Sequence, residues 1–353
     1  MRIPEVKDRL NLSSGELGIS LLSLTVGLIV AMPLVGWLLA RTGSRNVARA
    51  TAFMFVVMPV LPVLAVDQVT LMAGLALYGA VAGVLDVAIN VQGSEVEARM
   101  RRPVMSSFHG LYSAGGILGS AIGGGLAALG LSPRLHLFLV ALVLGLLGGV
   151  MAGRLLPESP RTEERPPMFA RPTRLLAMLG IIAFCAVLNE GAVSDWSAVY
   201  LRDAIGTGAG MAAAGFTVFS VTMTIGRLVG DRLAAHLGAP LLMRLGGLTA
   251  ALGLGVALAV PSLAASLFGF ACVGAGMSFV FPLVVSAASR TGQMAPGPAI
   301  AAVSTAGYVG LMAGPSSIGL TAELSSLRAA LGIVVLLSLL VALLASRTAS
   351  ARG

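Results

Sequence analysis

Long apolar runs alternate with short polar gaps along the whole chain. The pattern predicts helical spans at about 17–40, 49–66, 69–92, 107–130, 135–156, 174–203, 207–232, 240–260, 262–289, 297–322 and 326–346. Each meets or approaches the roughly 20 residues that a helix needs to cross the hydrocarbon core. None alternates with period two, which argues against a β-barrel. The fold class is therefore an all-α membrane protein with about 11 transmembrane helices. The 49–66 run is short and carries Pro59 and Pro62, so its ends are the least sharply defined.

The polar gaps set an orientation. With the 41–49 gap placed in the cytoplasm and the sides alternating from there, 17 of the 23 basic residues fall inside and 6 outside. This satisfies the positive-inside rule. It puts the C-terminus in the cytoplasm and the N-terminus outside. The longest gap, Pro157–Pro172, is rich in proline and charge and reads as a cytoplasmic linker. The expected organisation is a half-bundle at 1–156 with five spans, a linker at 157–173, and a half-bundle at 174–353 with six.

Composition agrees with lipid as the solvent. The 353 residues are 57% hydrophobic and 11% charged, with a mean hydropathy of +0.94. That charge is too sparse to cover a water-soluble fold. The 45 glycines suit close approach of membrane helices. The net charge of +8 comes from arginines scattered through the gaps, a pattern that marks topology and argues against nucleic acid. Cys185 and Cys272 lie within apolar runs and read as buried free thiols.

One offset, 195 positions, recurs along the chain. Gly115, Gly119 and Gly124 fall on Gly310, Gly314 and Gly319. Tyr78–Ala80 falls on Val273–Ala275, Gly43 on Gly238, and Lys7-Asp8 on Arg202-Asp203. The expectation is a duplicated bundle with two pseudo-symmetric halves. The 174–203 span would then have its counterpart mostly before residue 1, giving twelve helices minus the first. The ladder Gly115, Gly119, Gly123 makes a flat face suited to helix packing.

Several strings carry a resemblance. "GWLLARTGSR" (Gly36 to Arg45) and "GRLVGDRLAAHLG" (Gly226 to Gly238) occupy matching places in the two halves. They resemble the cytoplasmic loop signature of the major facilitator superfamily, although Ala40 replaces the usual acid before Arg41. "RIPEVKDRLNLSSGELG", "LDVAINVQGSEVE", "RPVMSSFHGLYSAGG" and "SDWSAVYLRD" resemble a bacterial branch near the fucose permeases. The resemblance implies a facilitator fold, secondary transport of a small polar solute with the proton as coupling ion, and residence as a monomer in the bacterial inner (plasma) membrane. It implies gating roles for Gly36, Arg41, Gly43, Arg45, Arg227, Asp231 and Arg232.

An ionisable group inside a span is costly and is a functional candidate by default. Asp86 lies deep in the 69–92 span with Asn90 one turn away on the same face. The fucose permease likeness implies a proton-linked acid on that helix; an acid satisfied by neighbouring polar groups is the other reading. Glu190 and Asp195 lie in the outer part of 174–203. Glu190 is balanced between coupling and structure, whereas Asp195 falls near headgroup depth, where a charge is cheap. His109 opens the 107–130 span and could shuttle a proton or simply bond a loop. Tyr308 could bond substrate and Phe281 could stack on it; both also suit a core. Pro282 and Pro315 free backbone carbonyls within their spans.

The sequence offers no P-loop, no HExxH and no clustered metal ligands, so no cofactor or metal is expected and an enzyme is disfavoured. A non-transporting receptor or an inactive truncated carrier is the alternative, since one cavity-lining helix is expected to be absent.

Overall fold

The computed structural model describes residues 3–157, 173–292 and 294–350, and all regular structure among them is helical. The expected linker at 157–173 lies, apart from its two end residues, outside the described residues. In chain order the helices are α1 (Ile3–Arg9), α2 (Ser14–Thr42), α3 (Ser44–Val57), α4 (Val60–Leu64), α5 (Gln68–Met100), α6 (Met105–Ala128) and α7 (Pro133–Ala152). There follow α8 (Arg174–Val199), a π-helical turn (Tyr200–Ala204), α9 (Ala209–Leu237), α10 (Ala239–Ala259), α11 (Leu263–Met277), α12 (Val280–Ser289), α13 (Pro296–Leu324) and α14 (Leu327–Ser350).

Among the described residues, ten segments are long and apolar enough to cross a membrane, and they coincide with ten of the eleven expected spans. The remaining run, 107–130, is α6. The expected 41–49 gap is much shorter than its charge suggests. α2 runs to Thr42 and α3 begins at Ser44, with Gly43 alone between them. Gly43 has φ 84° and ψ 151°, a backbone state open almost only to glycine. Gly238 does the same between α9 and α10, at φ 79° and ψ 148°.

The 195-residue offset extends to the helix ends. Displaced by that offset, Ser14–Thr42 becomes Ala209–Leu237, and the combined α3–α4 stretch, Ser44 to Leu64, becomes Ala239–Ala259. Asn11 and Gly206, also related by it, both take positive φ. The helix starts differ in their caps. Ser13 and Glu16 form a reciprocal capping box on α2, each side chain bonding the other's backbone N–H. Gly208 at the start of α9 offers no side-chain cap. A serine cap of this kind contributes about 1 kcal/mol.

The chain gathers into two compact units. The first comprises Met1–Val96, Ala114–Arg171 and Met294–Ala301; the second comprises Glu97–Ser113, Pro172–Gln293 and Ala302–Gly353. In the first unit α2 and α5 meet at Gly27 and Gly79, where any Cβ would strike the backbone of Ala76 or Leu24. Arg49 Nε donates to the Ala152 carbonyl at 2.7 Å and Arg45 Nη2 to the Gly153 carbonyl at 3.4 Å, placing two cations at the C-terminal end of α7. Gln92 ties Ser44 to the backbone of Leu156.

In the second unit α8 and α11–α12 are the most enclosed spans. α10 and α11 touch backbone to backbone at Gly246 and Gly276. The glycine ladder differs between its two copies. Gly310, Gly314 and Gly319 of α13 lie against Phe184, Leu188 and Trp196 of α8, whereas a Cβ at Gly115 or Gly119 of α6 would meet nothing within 4 Å. The packing face expected on α6 is thus not engaged at those two positions.

Candidate functional site

The site in the second unit begins with a missing amide. Pro282 cannot donate to the carbonyl four residues back, that of Ser278. The apolar run at 262–289 accordingly divides at Ser278–Phe279 into α11 and α12. The freed Ser278 carbonyl is taken by Arg227, whose Nε lies 3.3 Å away. Arg227 is buried, with two further partners: Nη2 donates to Glu190 Oε2 of α8 at 2.9 Å, and Nη1 to Ser113 Oγ of α6 at 2.7 Å. Ser113 Oγ in turn donates to the His109 carbonyl one turn earlier. The His109 ring meets the Phe281 ring edge-on, with centroids 5.7 Å apart.

Four helices therefore converge on one guanidinium. The ion pair is lopsided: the Arg227 side chain is 10% exposed, that of Glu190 34%. The carboxylate is the more accessible partner of the pair. Such a pair is held by charge-assisted bonds that strengthen as the local dielectric falls.

A second cluster surrounds the start of α6. The first turn of any helix leaves N–H groups without partners. Here two carboxylates share them. Glu97 Oε2 accepts from Val104 N at 3.0 Å and Met105 N at 3.1 Å. Asp231 accepts from Ser106 N at 2.9 Å and Ser107 N at 2.7 Å. Glu97 is 2% exposed and also binds Ser286 Oγ and Arg290. The negative charges complement the helix dipole at that end.

The matching place in the first unit has no carboxylate. Gly36 stands where the 195 offset would carry Asp231, and the start of α13 simply rests on it. A Cβ at Gly36 would approach Pro298 Cα to 3.3 Å, and Gly297 lies similarly against Leu39. Arg41 stacks its guanidinium over Trp37 at 4.4 Å. Arg45 sits at the end of α7 as described, and Gly43 forms the one-residue reversal.

The remaining residues named from sequence divide between the units. Asp86 and Asn90 lie on α5 in the first unit, both at least partly buried, with Asn90 Nδ2 donating to the Asp86 carbonyl at 2.9 Å. Asp195 is exposed, a turn and a half beyond Glu190 and on another face of α8. Tyr308 is half-buried on α13 in the second unit. Arg232 is exposed, and its carbonyl pairs with His236 Nδ1.

Sequence reasoning groups Arg227 with the loop residues, but its side chain reaches Glu190 within the span. Glu97, Arg290 and Ser113 escape that reasoning. A sign of Glu97 was present: an acid seven residues before the first free N–H of the next helix. A groove of about 430 Å³ also runs along α9 to α11, lined by Ile225, Val229, Leu233, Leu245 and Phe279 among others. Its lining is mostly apolar and includes neither Glu190 nor Arg227.

Comparison with known proteins follows the same lines. A profile described as Major Facilitator Superfamily matches residues 3–296. The chain is 38% identical over 341 residues to an MFS-type transporter of Yersinia pestis, covering 96% of this chain and 88% of that one. It is 36% identical over 355 residues to a transporter of Sinorhizobium fredii, covering 98% and 92%. Among solved structures, the E. coli fucose:proton symporter FucP aligns with a TM-score of 0.78 at 15% identity, covering 98% of this chain and 94% of that one.

Proposed function

The chain belongs to the major facilitator superfamily, and on that premise we propose that it is a proton-coupled secondary transporter of a small polar solute. The Glu190–Arg227 pair carries the reading, because a carboxylate held by a guanidinium inside a span is a group that can exchange its partner for a proton. Asp86 supplies a second proton-binding carboxylate on α5. The bodies that move in alternating access are the sequence halves 1–156 and 174–353, joined by the 157–173 linker.

The start of α6 acts as the latch of this cycle. Glu97 and Asp231 hold it through four backbone bonds, and Arg290 holds Glu97. Releasing α6 breaks all four together, so the latch is either closed or open. The chain works as a monomer in the inner membrane with its C-terminus in the cytoplasm, as the arginine distribution supports. Uptake by proteoliposomes under an imposed pH gradient tests the proposal. Accumulation that collapses with a protonophore is the expected outcome, and equilibration indifferent to the gradient would remove proton coupling.

A further inference from the structure

We infer that the solute is a small organic anion, and that Arg227 is the cation that receives it. The inference rests on the carrier reading with Glu190 as a proton-accepting group. It follows from what protonation of Glu190 leaves behind.

Arg227 has three partners, and Glu190 is the only charged one. The other two, the Ser278 carbonyl and the Ser113 hydroxyl, are neutral. A guanidinium cannot shed its own proton in a protein. When Glu190 takes up a proton, a fixed positive charge remains, almost wholly buried, with no counter-charge among these partners. Burying an unpaired charge in a low-dielectric site is strongly unfavourable. An anion bound to Arg227 restores the charge balance when Glu190 carries a proton. A neutral solute such as a sugar cannot supply that charge. A carboxylate can, and planar carboxylates match guanidinium geometry.

The surroundings fit such a guest. The Glu190 side chain is 34% exposed against 10% for Arg227, so the carboxylate is the outer partner and an incoming anion meets the pair on that side. Phe281, three residues beyond the freed carbonyl, and the His109 ring against it offer an aromatic surface for the organic body. Among the described charged groups on the helices packed around α8, only Arg227 contacts Glu190. Asp231, one turn beyond Arg227 on α9, is bonded to the backbone of Ser106 and Ser107, while Arg232 and His236 follow it on α9, Glu323 lies on α13, Arg328 at the start of α14, and Asp195 on α8 itself. α11 and α12 contribute no charged residue. At this pair the exchange is charge-balanced for a monoanion: one proton on Glu190 for one carboxylate on Arg227.

The test uses the full chain in proteoliposomes with an inward-directed pH gradient and two sets of labelled probes. The anions are acetate, lactate, pyruvate and benzoate; the neutral solutes are glucose, fucose and mannitol. Accumulation of at least one anion, and of no neutral probe, is expected. Glu190→Gln should abolish accumulation and flatten the pH profile of anion counterflow. Arg227→Gln should lower counterflow by at least about tenfold. Because that variant strands Glu190, the neutral double variant Glu190→Gln/Arg227→Gln is measured too, and it should fold yet show the same loss. Proton-linked accumulation of a neutral probe, or anion uptake indifferent to Arg227→Gln, overturns the inference and leaves the carrier reading standing. Accumulation of no probe by protein that remains monodisperse counts against the carrier reading itself and takes the inference with it.

Discussion

Asp231 of α9 accepts a hydrogen bond from the backbone N–H of Ser107 at 2.7 Å, so the first turn of α6 is held by a helix 124 positions away in sequence. The neighbouring N–H of Ser106 binds the same carboxylate. Removing the side chain strands one buried and one part-buried donor. Asp231→Ala should cost about 1–3 kcal/mol of stability. Thermal unfolding of the purified protein in detergent reads this directly. Asp231→Asn keeps one acceptor and should lose less. An unchanged unfolding temperature in both would dismiss the latch.

Asp86→Asn should abolish proton-driven accumulation while leaving expression and unfolding temperature near the parent values. The substitution keeps the shape and loses only the charge and its proton. Uptake with an unchanged pH dependence would leave Glu190 as the sole coupling carboxylate.

Gly43 and Gly238 reverse the chain within one residue at positive φ. Alanine in that backbone state is strained by about 1–3 kcal/mol. Gly43→Ala and Gly238→Ala should each lower the unfolding temperature, and by similar amounts, because the two glycines share nearly the same φ and ψ.

The two copies of the glycine ladder should respond in opposite ways. Gly310→Ala drives a Cβ into the backbone of Phe184 and should destabilise by about 1–3 kcal/mol. Gly115→Ala meets nothing within 4 Å and gains helix propensity, so it should be neutral or stabilising by up to about 1 kcal/mol. Paired melting curves of the two variants decide the matter.

The spans were legible because hydropathy is a local property, and ten of them recur, most ends lying within about five residues of the expected ones, although α5 continues eight residues further to Met100. The duplication was legible too, since glycines at 43 and 238 are fixed by backbone conformation. The length of the turns was not. Arginines at 41, 45 and 49 mark a gap, yet they belong to helical ends, and only Gly43 is non-helical. The partnerships of the site were also hidden. Glu190 and Arg227 are 37 positions apart on different helices, and nothing local announces that they face each other. Pro282 was the readable half of that arrangement: a missing donor is visible in sequence, while the group that claims the vacated acceptor is not.

Pro282 has no N–H to give, and the aim of Arg227 depends on that. An alanine there would restore an amide, close the ladder onto Ser278 and set the guanidinium's tether in competition with the helix itself. The orientation of a deeply placed cation is thus specified by what one ring is unable to give.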